Sequence, residues 1–366
     1  MSVDNDQETA VQMLEGGALW RIWLGLGAGL LGCLLLSLCL PFDRYIAWQQ
    51  SAGTQMFHSR WIYERLNFDP SPIDIAIIGS SRLESGISPS VLAQTLSDRL
   101  GRDIAVANLS IVMPGRDFAD TITRELLATH PEVQLIVLSD DGEITNSHPM
   151  FKQTASAAQL LRAPVLVNAH FFTNLLALPF RNIANVAQQM HPAWFGVTDI
   201  FVASDYPGTG LDRTLGYRTA DGTLVNGEQT MAPAALLAMS RDAVARQRAG
   251  LALLRPLPDR YRLAIDRHYL ASIAMRARHA DVSLAFLSLP LYGPLQATGD
   301  RRAYAPFGPV LALDDLAQHP ELYQSAAHLN RKGAVRASRA AAQAIAPLLV
   351  GTKGEERAPG QGRGRS

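Results

Sequence analysis

Residues 73–88 read IDIAIIGSSRLESGIS, and the fold turns on them. Ile73–Ile78 is a short apolar run, rich in isoleucine, with the character of a strand buried on both faces. It stops at Gly79, and Ser80, Ser81 and Arg82 follow. Ser88-Pro89 then opens a helix, with a capping hydroxyl and a proline at the first helical position. Leu92, Leu96 and Leu100 give that helix an apolar stripe, and Gly101 ends it.

The same rhythm continues outward. Ile104–Ala107 reads as a second strand, ending at Asn108. Phe118, Ile122 and Leu126 mark a second helix, closed by His130-Pro131, and Leu135–Leu138 is a third strand. Strands and helices alternating at this spacing predict βαβ units and a parallel sheet, hence an α/β fold. The rhythm breaks after Asp140. Residues 149–255 hold apolar helical stretches and a hairpin, GYRTADGTLVNG, turning at Asp221-Gly222, so they read as an insertion. A helix over 259–279, the strand Val282–Leu289 and a final helix over 331–346 resume the pattern. The α/β domain is thus expected over 71–350, and residues 351–366 form a glycine-rich polar tail expected to be disordered.

Toward the N-terminus, residues 1–21 form a tail, and no residue from Ile22 to Phe42 is charged. At 1.5 Å per residue that segment reaches about 31 Å, the thickness of a bilayer core. Trp20 and Trp23 stand at one end and Phe42, Tyr45 and Trp48 at the other, as interfacial aromatics do. The acidic start and the lack of a small-residue cleavage site argue against a cleaved signal. Leu30-Leu31-Gly32-Cys33 faintly resembles a lipoprotein box, but the apolar run continues through Leu40. Residues 22–42 are therefore read as a single-pass anchor and 43–70 as a helical neck leading away from it. Arg21 precedes the span while Arg44 and Arg60 follow it, a balance too small to fix orientation. Cys33 and Cys39 both lie in the span, so the remainder holds no thiol chemistry. With 33 basic and 33 acidic residues the chain lacks the basic excess that nucleic acid demands.

In an open parallel sheet, function gathers at the carboxyl ends of the strands. Three ends are legible: Gly79–Arg82, Asn108-Leu109-Ser110 leading to Gly115, and Ser139-Asp140-Asp141-Gly142. The first has no lysine for a phosphate loop, no glycine triplet for a dinucleotide, and Leu83 where a nucleophile elbow needs glycine. By itself it reads as a turn, with a serine hydroxyl able to enter a cleft. LSDDGE has a passing similarity to metal-dependent polysaccharide deacetylases, but no histidine has a second one four residues on to complete a metal site. A fourth element, His328-Leu329-Asn330, places a histidine in a short polar turn before the last helix.

Taken in order, IIGSSRLESGI, NLSIVMPG and HLNRKGA resemble the blocks of the SGNH/GDSL hydrolase superfamily, in particular its membrane-anchored branch associated with exopolysaccharide acylation. The resemblance implies a flavodoxin-like three-layer α/β/α sandwich, and removal or transfer of acyl groups by serine and histidine without metal or cofactor. It implies Ser81 as nucleophile, His328 as general base, and an oxyanion hole from the Ser81 N–H with Gly115 or Ser110. It further implies a secreted polysaccharide of cellulose or alginate type as substrate, an integral-membrane acyltransferase or polymer synthase as partner, and a periplasmic domain on a bacterial inner membrane.

Two positions depart from that pattern. The family's D-x-x-H falls on Ser325 and His328, so the acid that orients the imidazole is missing; Asp314 or Asp315 is the expected replacement. The family's G-x-N-D falls on Leu138–Asp141, placing Asp140 where an asparagine would donate to the oxyanion. These departures leave a second expectation beside the esterase or acyltransferase: a non-catalytic SGNH-like subunit that binds carbohydrate or holds a synthesis complex together.

Overall fold

A computed structural model describes residues 3–51, 54–142, 146–218, 224–225, 227–250, 256–298 and 301–351. Its centre is a five-stranded parallel sheet of β1 (Ile75–Ile78), β2 (Val106–Asn108), β3 (Leu135–Ser139), β6 (Ser283–Ser288) and β7 (Val310–Ala312), in the order β2-β1-β3-β6-β7. Every pairing is parallel, from Ile75 opposite Val106 to Ser288 opposite Ala312. With the small strands set aside this is the 2-1-3-4-5 order of doubly wound, flavodoxin-like sheets, whose strand ends open on one crevice. Between β3 and β6 lies the hairpin β4 (Tyr217–Arg218) and β5 (Leu224–Val225), antiparallel as expected. Its Asp221-Gly222 turn lies outside the described residues. A second small hairpin, β8 (Tyr323–Ser325) with β9 (His328–Leu329), precedes the last helix.

The helices, in chain order, are α1 (Val3–Ser37), α2 (Arg44–Gln49), α3 (Ser59–Asn67), α4 (Ser81–Gly86), α5 (Pro89–Leu100), α6 (Arg116–Thr129), α7 (Pro149–Thr154), α8 (Ala157–Arg162), α9 (Phe171–Met190), α10 (Pro233–Gly250), α11 (Asp259–Arg262), α12 (Ala264–His279) and α13 (Arg331–Gly351). Alternation along the strands sends side chains to opposite faces. Ile75, Ile77, Leu135 and Val137 meet Leu92 and Leu96 of α5 and Ala337, Ala341 and Ile345 of α13. Ala76, Ile78, Ile136 and Leu138 meet Phe118, Ile122 and Leu126 of α6 and Leu270, Ile273 and Ala277 of α12. The result is three layers, α/β/α.

Three boundaries differ from the sequence reading. Residues 43–70 do form helices, but Trp48, Trp61, Ile62 and Leu66 are buried in the α6–α12 side of the core rather than standing off it. The apolar N-terminal helix ends at Ser37, not Phe42. Pro41 cannot continue it, and Phe42 turns its ring under the Arg181 guanidinium, 4.3 Å away. The helix also begins at Val3, inside the expected tail, and its Trp20–Ser37 segment is long and apolar enough to cross a membrane. Of the expected C-terminal tail, only Gly351 lies among the described residues.

Candidate active site

Gly79 ends β1 because only a residue without a side chain fits there: a Cβ would stand 2.6 Å from both Cβ and Oγ of Ser139 on the adjoining strand. Ser80 caps α4, its hydroxyl donating to Asp141 Oδ1 at 2.5 Å, and Ser81 becomes the first helical residue. A first residue has no intrahelical acceptor for its N–H, so Ser81 presents both hydroxyl and amide at the mouth of the crevice.

His328 reaches the same point from the far end of the chain. It sits in β9, where the sequence suggested a turn, and its hairpin closes over Ala326-Ala327. Asn330 locks that hairpin to α13: its Oδ1 accepts the Gly333 N–H at 3.0 Å while its Nδ2 donates to Glu321 O at 2.8 Å. The His328 Nε2 then lies 2.8 Å from Ser81 Oγ, within hydrogen-bond reach. Burial holds the imidazole below the ordinary histidine range, and the nearby Arg82 charge lowers it further. It is neutral at neutral pH, as a base must be.

Nδ1 of His328 meets Ser325 Oγ at 2.9 Å, the position of the missing acid. Ser325 Oγ also accepts the backbone N–H groups of His328 at 3.1 Å and Ala327 at 3.4 Å. A hydroxyl has two lone pairs and one proton. With both lone pairs facing backbone N–H, the proton goes to Nδ1, which puts the ring proton on Nε2. That tautomer donates to Ser81. For His328 to accept from Ser81, the Ser325 hydroxyl must turn and release the longer backbone bond, at a cost of about 1 kcal/mol.

Neither expected acid takes this place. Asp314 is gripped by Arg301, with Nη1 to Oδ2 at 2.6 Å and a second bond from Nη2 to Oδ1, and it lines a different cavity. Asp315 is exposed and does not line the Ser81–His328 cavity. Asp140 also belongs to the other cavity, where its Oδ2 accepts from Ser288 Oγ at 2.7 Å and lies 3.7 Å from Arg301 Nε. The second strand contributes differently too. Asn108 spends its amide on Leu83 O and Ile87 O, at 2.9 and 2.8 Å, and its Oδ1 accepts the Ser110 N–H at 3.2 Å. Ser110 is fully buried and, like Gly115, does not line the cavity; Val112 does. Of the three expected oxyanion-hole residues, Ser81 is the one that lines the cavity.

The cavity around Ser81 and His328 measures about 400 Å³. Its walls hold residues with no sequence signal. Arg213 is buried, with Nη2 3.2 Å from Glu84 Oε1 and its guanidinium over the rings of Tyr217 and Phe57, at 3.5 and 4.7 Å. His58 Nδ1 lies 3.3 Å from the same Glu84 oxygen, and burial lowers its pKa. Asp212 fastens this part of the insertion: Oδ2 accepts from Ser88 Oγ and Ser90 Oγ, while Oδ1 accepts from Thr214 N–H at 2.9 Å and Thr214 Oγ1 at 2.6 Å. Arg213, Thr214, Tyr217 and Gly227 of the insertion thus line the cavity. Comparison with family models and with curated proteins returns no match.

Proposed function

We propose that this protein is a membrane-anchored serine esterase or O-acyltransferase of SGNH type, acting on acyl groups of a secreted polysaccharide. One observation carries the reading: Ser81 Oγ and His328 Nε2, 247 positions apart in sequence, stand 2.8 Å apart in a cavity at the strand ends. In the reaction, Ser81 Oγ attacks the acyl carbonyl and its proton passes to His328 Nε2. The Ser81 N–H donates to the oxyanion as the tetrahedral centre forms, a type of contact that contributes about 3–4 kcal/mol. The imidazolium returns the proton to the departing sugar oxygen, leaving an acyl-serine. Water, or a second sugar hydroxyl, then gives its proton to His328 and takes the acyl group, and His328 returns that proton to the departing Ser81 Oγ. The Trp20–Ser37 helix, long and apolar enough to span a bilayer, supports action at a membrane, and the resemblance favours the outer side of a bacterial inner membrane, beside an acyltransferase or polymer synthase. Ser81→Ala is expected to abolish turnover of a chromogenic acetyl ester by the detergent-solubilised chain; unchanged turnover overturns the assignment.

The hydroxyl at Ser325 favours a second reading, in which the same cavity binds an acylated sugar without cleaving it. Binding of an acetylated oligosaccharide with no hydrolysis, weakened by Arg213→Met, is the outcome that selects it.

A further inference from the structure

Helix α9 carries an apolar stripe on its exposed side. At about 100° per residue, Phe172, Leu176, Phe180, Ile183 and Met190 fall in one stripe roughly 80° wide. That stripe faces outward: Phe172 is 66%, Leu176 72%, Phe180 62% and Met190 68% exposed. The opposite side, packed into the protein, is mixed: Phe171 and Leu178 are buried there together with Asn174, Arg181, Asn182 and Asn185. Trp194, 79% exposed, and Phe195 extend the apolar face beyond the helix end. Between Ala163 and Thr198, Arg181 is the sole Asp, Glu, Lys or Arg, and it is turned inward onto Ala155 O at 2.6 Å. A surface helix of a protein bathed in water turns charged and polar residues outward instead.

The polar side of α9 holds the end of the anchor. Asn182 Nδ2 donates to Ser37 O at 3.1 Å, and Gln189 Nε2 to Pro41 O at 3.3 Å. Asn185 brackets Asp43, accepting its N–H at 2.7 Å and donating to its carbonyl at 3.0 Å. The face is therefore fixed where the chain leaves Trp20–Ser37. We propose that α9 and the Trp194 turn lie in the membrane interface, their apolar stripe among the acyl chains, so that the α/β domain rests on the bilayer as well as being tethered to it. An apolar helix face of this kind sinks about 5–10 Å into the headgroup and acyl boundary. The proposal rests on residues 20–37 crossing the bilayer and is independent of the chemistry assigned to Ser81.

The test uses the full chain with Cys33 and Cys39 replaced by serine and one cysteine reintroduced at a time: Leu30→Cys in the anchor, Leu176→Cys on the stripe, Gln94→Cys on α5. Each is labelled with an environment-sensitive fluorophore and reconstituted into phosphatidylcholine vesicles carrying brominated acyl chains. Labels at 30 and 176 quenched by bromolipid, with 94 quenched only by aqueous iodide, bear the proposal out. Quenching at 176 by iodide, with 30 still quenched by lipid, overturns it and leaves the anchor standing. A label at 176 reached by neither quencher means a second copy covers the stripe, which also overturns it. Iodide quenching at all three positions removes the membrane reading altogether. Ester hydrolysis measured on the same samples reports on Ser81 separately.

Discussion

Ser325→Asp restores the acid that the serine–histidine pair lacks, and its consequences follow from the geometry. Ser325 Oγ stands 2.9 Å from His328 Nδ1 and already accepts the His328 N–H. A carboxylate here has no proton to give, so Nδ1 must carry the ring hydrogen and Nε2 becomes the acceptor that Ser81 requires. With charge centres about 4 Å apart at an effective dielectric near 20, the ion pair formed on protonation contributes about 4 kcal/mol. That corresponds to a rise of about 3 pKa units for the imidazole. Complete proton transfer in the transition state would express the same energy as a gain of up to about 10³ in kcat/KM. The assay is kcat/KM for a chromogenic acetyl ester from pH 4 to 10. The parent protein is expected to keep its acid limb below the ordinary histidine pKa, because burial and Arg82 depress His328. In the variant that limb moves to higher pH and the plateau rises. A folded variant with the parent's plateau and the parent's limb would refute His328 as the general base.

Other consequences are open to measurement. Arg213→Met leaves Glu84 buried beside an apolar side chain, with both residues of the original pair only 4% exposed. It should cost about 3–5 kcal/mol in thermal or denaturant unfolding, and adding Glu84→Gln should recover part of that loss. Gly115→Ala drives a methyl to 2.3 Å from His148 Cβ, an atom that no side-chain rotation moves, so the backbone at one of the two positions must shift. The expected loss is about 1–3 kcal/mol, and a variant as stable as the parent would mean the loop is looser than its geometry implies. Burial holds His148 down to about 4. The unfolded chain therefore takes up its proton first, and the stability that His148 contributes is complete above about pH 6.5 and lost progressively as pH falls toward 4, by roughly 3 kcal/mol. His148→Gln should flatten that part of the stability–pH curve, and an unaltered slope would assign it elsewhere.

The sheet was readable where strands are long and apolar enough to stand out. Ile75–Ile78 and Leu135–Ser139 are buried along their whole length, and so declare themselves without alternation. Val310–Ala312 is a short, half-exposed edge strand and carries no such signal. Ser81 and His328 were legible because chain order places them at a strand end and before the last helix. The hairpin that holds His328 was not, since two- and three-residue strands owe their existence to Asn330 and the α13 contact rather than to local propensity. Asp314 and Asp315 failed as orienting acids because nearness in sequence says nothing about direction, and Arg301 draws Asp314 into another cavity. Arg213, Phe57 and Tyr217 left no trace at all. Their assembly is a product of the insertion folding back onto α4, which no local pattern encodes.

The span of 247 residues between Ser81 and His328 also sets an order of events during synthesis. At 5–20 residues per second the serine emerges from the ribosome roughly 12–50 s before its histidine. Throughout that interval the Trp20–Ser37 segment and β1 are already made, and the Ser81 hydroxyl has no imidazole beside it. On the proposed reading, a prematurely terminated chain carries Ser81 without His328 and is expected to show no acyl transfer. The Ser81–His328 pair is completed only when the β8–β9 hairpin has been made.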